Sequence, residues 1–201
     1  MPRLVEAAVA FLLLVLTLPL TLVSLVLSSV FIGFPPLHRS RRVGLKGVEY
    51  THWKIRSMKK GDETGRVFFE THRINRWGRL LRRWHLDELP ELALILLGKM
   101  SFVGPRPLPA QLLKGLDTSV RERVRPGWTG LAQLLLLRRG ELNKKTQIRL
   151  DSRYVHRRNF RYDVAILLAT AAGVAGSRSL NLDPRGTADR IAFAKKRKNP
   201  L

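Results

Sequence analysis

Residues 86–107 read LDELPELALILLGKMSFVGPRP. Two adjacent carboxylates, Asp87 and Glu88, precede an apolar run that ends at Gly98, and a Gly-Pro-Arg-Pro turn follows. Apolar spacing after an Asp and before a Gly predicts a short helix over 88–97. Asp is a favoured N-cap, a first-turn Glu suits the helix dipole, and proline is tolerated there. Taken alone, the Asp-Glu pair is an ordinary helix start. Its neighbours ask for more. Arg82 lies just upstream, and Arg106 stands between two prolines that restrict its backbone and aim a guanidinium able to grip phosphate bidentately. The plain alternative for Arg106 is an exposed turn residue. Helix N-termini attract phosphate, and a carboxylate can attack phosphorus to form an acyl phosphate. Its charge repels the anion, so arginines or a divalent metal must offset it.

Working outward, Lys54 and Arg56 lie two apart in WKIRSM, on one face if the segment is extended; a solvated strand face is the bland reading. Gln133 follows RPGWTG and could bind a base or sugar, although a lone Gln carries little information. The five histidines show no metal-ligand spacing and read as structural. No Walker loop, HExxH or dinucleotide fingerprint is present.

The 201-residue chain carries a net charge of +22. Such a surface attracts polyanions: nucleic acid, anionic lipid or phosphorylated substrates. The absence of cysteine excludes disulfides, zinc-thiolate sites and iron–sulfur clusters. With 45% hydrophobic residues, the chain is no disordered basic tail.

Residues 7–34 contain no charge, about 28 positions against the ~20 a spanning helix needs. The run exceeds a signal peptide's apolar region and lacks a clear cleavage site. Pro19 sits near its middle and predicts a kink. Two arms of about 12–15 residues would each reach only ~20 Å. Thr17, Thr21 and Ser24 are close enough to satisfy freed carbonyls. Arg3 precedes the run and Arg39, Arg41 and Arg42 follow it, and positive flanks prefer the cytoplasm, with Glu6 weakening the first flank. A re-entrant helix fits at least as well as a spanning one.

Residues 33–47 read as a loop, with Gly44 and Gly47 suggesting a hairpin before a short strand at 48–58. A polar loop spans 59–65. Residues 74–84 form a basic amphipathic helix with tryptophans at its margin, suited to anionic lipid or, more plainly, to a solvated face of a core helix. Short helical pieces are expected at 109–116 and 117–124, a turn at 125–130, a strand or membrane-touching segment at 131–137, and helices at 144–158 and 163–175. The last twenty or so residues, with the run KKRK, read as a mobile tail.

Together GFPPLHRSRRVG, WKIRSM, the arginine before LDELP, MSFVGPRP, RPGWTGLAQ, LDSRYV and YDVAILLAT, in that order, resemble the bacterial sugar transferases, the monotopic phosphoglycosyl transferases. The resemblance runs from the hydrophobic N-terminus to about Ala175. It implies an α+β, mostly helical fold. An N-terminal re-entrant membrane helix (1–33) broken near Pro19 would precede a cytoplasmic catalytic domain (34–178) with interfacial amphipathic helices and a small β-hairpin, and a basic tail (179–201). It implies Asp87 and Glu88 as a catalytic dyad, with Asp87 attacking a UDP-sugar, UMP leaving, and polyprenyl (undecaprenyl) phosphate taking the phosphosugar from Asp87. Mg2+ would bind at Asp87, while Arg82, Arg106 and Lys54 would support the dyad or phosphates. Anionic lipids are expected partners, a homodimer is left open, nucleic acid is not expected, and the place is the cytoplasmic face of the inner (plasma) membrane. The chain departs from the family pattern at Glu91 for Gln, at Leu94 and Leu97 for Asn and Lys, at Lys99 for Asp, at the leucines after Gln133, and at Asn75 for Thr. Two rivals stand beside this: a membrane-anchored basic nucleic-acid-binding protein, and a catalytically inactive scaffold of the same fold.

Overall fold

The computed structural model describes residues 1–61, 73–139 and 142–174. The later part of the expected polar loop and the basic tail lie outside these residues. Among them the fold is mostly helical, with a small hairpin, as expected.

Helix α1 (Arg3–Phe31) is continuous, with Pro19 inside it. The expected break is thus no gap in the helix. Nor do the flanking hydroxyls serve the carbonyl that Pro19 leaves free: Thr17 Oγ1 donates to the Leu13 carbonyl at 2.7 Å and Thr21 Oγ1 to that of Thr17 at 2.9 Å. One stripe, Glu6, Ala10, Ser24 and Ser28, is buried at helical spacing. Leu13 and Leu14 are half-buried against the core, and most other large apolar side chains are open, from Leu4 at 85% exposed to Val30 at 71%. Each such side chain gains roughly 1.5–3 kcal/mol on leaving water, and soluble proteins rarely expose a continuous apolar strip of this length. The helix is long and apolar enough to cross a membrane.

Both ends of α1 are fastened to the rest of the chain. At its start Arg3 donates to the Leu96 carbonyl at 2.6 Å and Ser101 Oγ to Glu6 at 3.3 Å. At its end Trp77 Nε1 donates to Ser28 Oγ at 3.0 Å and Asn75 Nδ2 to the Phe31 carbonyl at 2.7 Å.

Strand β1 (Leu37–Val43) pairs antiparallel with β2 (Glu49–Ile55), from Leu37 opposite Ile55 to Val43 opposite Glu49. Lys46 and Gly47, both at positive φ, make the turn between them. The loop expected at 33–47 therefore holds a strand. LHRSRRV hides it because a charged edge strand needs no apolar alternation. Helix α2 (Arg76–Arg83) begins at Asn75, whose side chain accepts from the Gly78 N–H at 2.8 Å. Helix α3 (Glu91–Leu96) follows, buried at Leu92, Leu94 and Ile95 and packed on α1 and β2.

A second pair was not foreseen. Strand β3 (Ser101–Val103) runs parallel to β4 (Gly127–Thr129), where a turn was expected at 125–130. Gly104 donates to the Thr129 carbonyl and Gly127 to that of Pro105, both at 2.9 Å. A Cβ on Gly127 would stand 2.0 Å from the Gly104 nitrogen. The glycines of VGPRP and RPGWTG exist so that these two backbones can touch. The leucine run takes the form of helix α4 (Leu131–Arg139), packed on α5 (Lys144–Arg157) and α6 (Phe160–Val174). A continuous apolar run carries no period, so strand and helix were not separable there.

Candidate active site

The dyad does not start a helix. Leu86–Glu88 is a 3₁₀ turn of its own, and the N-cap of α3 is Pro90, with no side-chain cap. Asp87 is therefore free of the capping role that its sequence position suggests. It is buried, with 8% of its surface open. The turn is entered through His85 in the left-handed region, φ 54, an uncommon conformation for a non-glycine residue that costs of order 1–3 kcal/mol.

β2 and α2 supply the cations. Lys54 Nζ donates to Glu88 Oε1 and lies 3.2 Å from Glu91 Oε1, while His52 Nε2 stands 3.2 Å from that same oxygen. Arg82 donates through Nε to Ser57 Oγ at 2.8 Å. This follows from the close seat of α2 on the end of β2, where a Cβ on Gly78 would meet the Ser57 carbonyl at 2.1 Å. Arg56 extends β2's backbone pairing, its N–H bonding the Pro36 carbonyl, and its buried Nε has no hydrogen-bond partner.

Burial pushes the Asp87 carboxyl above its ordinary range; Lys54 opposes this, Glu88 adds to it and Arg82 opposes it. Burial also works against ionised Glu88, but the Lys54 charge and hydrogen bond, with His85 and Arg106, hold that carboxyl below its ordinary range. Lys54 itself is raised: burial disfavours its charge, and Glu88 and Glu91 more than restore it. The result is an ionised Glu88 locked to Lys54 beside a poorly hydrated Asp87. Lys54 and Arg82 are the cations that favour the charged form of Asp87 against that burial.

Arg106 reaches Glu88 through its charge. Its backbone is gripped on both sides: Asp151 accepts from its N–H, and Arg121 donates to its carbonyl. Arg121 and Asp151 are themselves paired at 3.4 Å and buried. Sequence reasoning missed this pair, since nothing in the spacing of residues 121 and 151 marks it. It also read His52 as structural and Glu91 only as a departure. Gln133 is not brought to the dyad by any contact: it donates to the Gly127 carbonyl at 3.3 Å and supports the β4 turn. Of the other departures, Leu94 and Leu134 are core residues and Lys99 is exposed. A cavity of about 440 Å³ near the start of α1, lined by Met1, Glu6, Tyr154 and Asp163 among others, includes neither dyad residue.

The bacterial sugar transferase family model matches residues 1–177. The chain belongs to the bacterial sugar transferase family. Among its relatives in that family, the uncharacterized sugar transferase EpsL of Bacillus subtilis is 34% identical, over 94% of each chain. The exopolysaccharide production protein ExoY of Rhizobium meliloti is 32% identical, over 80% of this chain and 79% of its own. The UDP-glucose:undecaprenyl-phosphate glucose-1-phosphate transferase of Xanthomonas campestris is 37% identical over 72% of this chain. The chain spans about a third of the length of that relative. As a member of the family it is a sugar transferase enzyme, and its helix α1 is long and apolar enough to cross a membrane.

Proposed function

We propose that this chain transfers a sugar-1-phosphate from a UDP-sugar to polyprenyl phosphate at the cytoplasmic face of the membrane, through a phosphosugar held on Asp87. One observation carries the proposal: a buried carboxylate released from capping, within reach of the charges of Lys54 and Arg82 and adjacent to Glu88, which Lys54 holds. The relatives named as undecaprenyl-phosphate sugar-phosphate transferases supply the substrate class.

In the first step an Asp87 oxygen bonds to the sugar-bearing phosphorus, and UMP departs with the electron pair of the broken P–O bond. In the second, an oxygen of polyprenyl phosphate bonds to that phosphorus and Asp87 is released. One site thus serves both substrates in turn. Glu88 and Lys54 form a fixed ion pair beside the reacting oxygen, and Arg106 supplies charge for the phosphate oxygens. Among the described residues no group of three or more His, Cys, Asp or Glu side chains could hold a metal. Mg2+ usually binds through one or two carboxylates plus substrate phosphates. Asp87 is the carboxylate available to it, since Glu88 is taken by Lys54. When bound, the ion would neutralise phosphate charge.

The acceptor's phosphate lies at the lipid–water boundary. Helix α1 packs against the turn that carries the dyad, and its two ends fasten to one domain. That supports a helix that enters and leaves by the same face.

Asp87→Asn should retain the fold and abolish UMP release from UDP-sugars in a radiolabel assay with polyprenyl phosphate present. Full release by that variant would remove Asp87 as the nucleophile.

A further inference from the structure

Four cations lie on elements that α1 does not chiefly pack against: Arg42 near the end of β1, opposite Tyr50 on the strand that also carries Lys54, Arg106 in the turn after β3, Arg121 in the 3₁₀ turn Arg121–Arg123, and Lys144 in the first turn of α5. A small apolar contact joins the elements that carry Arg42, Arg106 and Lys144. Val43, Leu108 and Ile148 belong to one cluster, and the Val43 N–H donates to the Leu108 carbonyl at 3.0 Å. Arg42 precedes Val43, Arg106 lies two before Leu108, and Lys144 is one turn before Ile148 on the same face of α5. Arg121 pairs with Asp151 through Nε and donates to the Arg106 carbonyl through Nη2. Arg42 hydrogen-bonds Ser40 Oγ at 3.2 Å, and neither it nor Lys144 pairs with a carboxylate among the described residues.

Three buried polar atoms nearby have no hydrogen-bond partner: the Tyr50 hydroxyl, Arg121 Nη1 and Gln147 Nε2. Tyr50 faces Arg42 across the hairpin, and Gln147 lies one turn from Lys144. Burial and mutual repulsion lower both free cations, with Arg106 the first charge acting on each. Like charges gathered around unsatisfied polar groups form a site that an anion completes.

We propose that Arg42, Lys144 and Arg106 form a phosphate site for the nucleoside monophosphate that leaves the donor. This rests on the covalent reading above. When Asp87 bonds to the sugar-bearing phosphorus, the departing bridging oxygen keeps the electron pair, no proton moves, and the charge that develops on the nucleotide phosphate needs cations already in place. Arg106 belongs to both regions, since its charge reaches Glu88 as well as Arg42 and Lys144. A lipid phosphate would arrive from the side of α1, which packs on α2, α3, β2 and the dyad turn. The nucleotide is therefore the occupant of the cluster.

The test is calorimetric titration of the full chain in detergent with UMP and, separately, with farnesyl phosphate. Arg42→Gln and Lys144→Gln are compared with Arg41→Gln and Lys145→Gln, exposed neighbours with the same charge change. The site variants should weaken UMP about tenfold or more, the neighbours less than about twofold, and none should change farnesyl phosphate. Equal UMP affinity in all four variants overturns the proposal, and so does a loss confined to farnesyl phosphate, which would make the cluster the lipid's site. If Arg42→Gln melts early, Lys144→Gln at the half-exposed helix start decides alone. Failure of the covalent reading would appear separately, as turnover by Asp87→Asn.

Discussion

Lys54 joins three carboxylates into one electrostatic unit, bonding Glu88, approaching Glu91 and acting on Asp87. Its side chain is 27% exposed, so Lys54→Gln should melt within a few degrees of the parent while turnover falls about 10²–10³-fold; unchanged turnover would show that Glu88 needs no counter-charge. Asp151 gives a different readout. Burial raises it to about 7, against Arg121 and the Arg106 N–H and charge. The native state then keeps this proton up to about pH 7, whereas the unfolded chain releases it near its ordinary value of 3.8. The stability gained is complete below about pH 4 and is lost as pH rises through 7. The melting temperature should fall between about pH 4 and 7, and Asp151→Asn should flatten that slope; identical slopes would place the proton elsewhere. Sequence showed Asp87, Glu88, Lys54, Arg82 and Arg106 as candidates because their residue types and motif positions carry chemistry. It could not show Ser57, Arg121 or Asp151, whose work is to hold those groups and depends on contacts far along the chain.

At the scale of elements, the amphipathic and apolar helices α2, α5 and α6 were legible from their spacing. β1 and the β3–β4 pair were not: the first is a charged edge, and the second is only three residues on each side. Their signal lay in glycines rather than in alternation. Gly127→Ala places a methyl into the Gly104 backbone and should cost more than about 3 kcal/mol, read as a fall in melting temperature with loss of activity. A variant as stable as the parent would mean that the two motifs do not need to touch. The dyad's own geometry was also misjudged. An Asp before an apolar run reads as a cap, but Pro90 takes that position and leaves Asp87 on a separate turn.

For the whole molecule, the uncharged run announced a helix long and apolar enough to cross a membrane, but sequence alone left spanning and re-entrant forms open. The proposal takes the second, because Arg3, Glu6, Ser28 and Phe31 at the two ends of α1 all contact the rest of the chain. Because the chain has no cysteine, Pro2→Cys and Lys99→Cys can each be introduced as the sole thiol. In intact cells a membrane-impermeant maleimide should label neither, and after lysis both. Labelling of Pro2→Cys alone from outside would make α1 a straight span.

The chemistry can be read directly by mass spectrometry of the peptide carrying Asp87, after incubation with a UDP-sugar and no lipid acceptor. That peptide should gain the mass of a sugar phosphate, discharged when polyprenyl phosphate is added. UMP release with an unmodified Asp87 peptide, or an adduct on another residue, would contradict it.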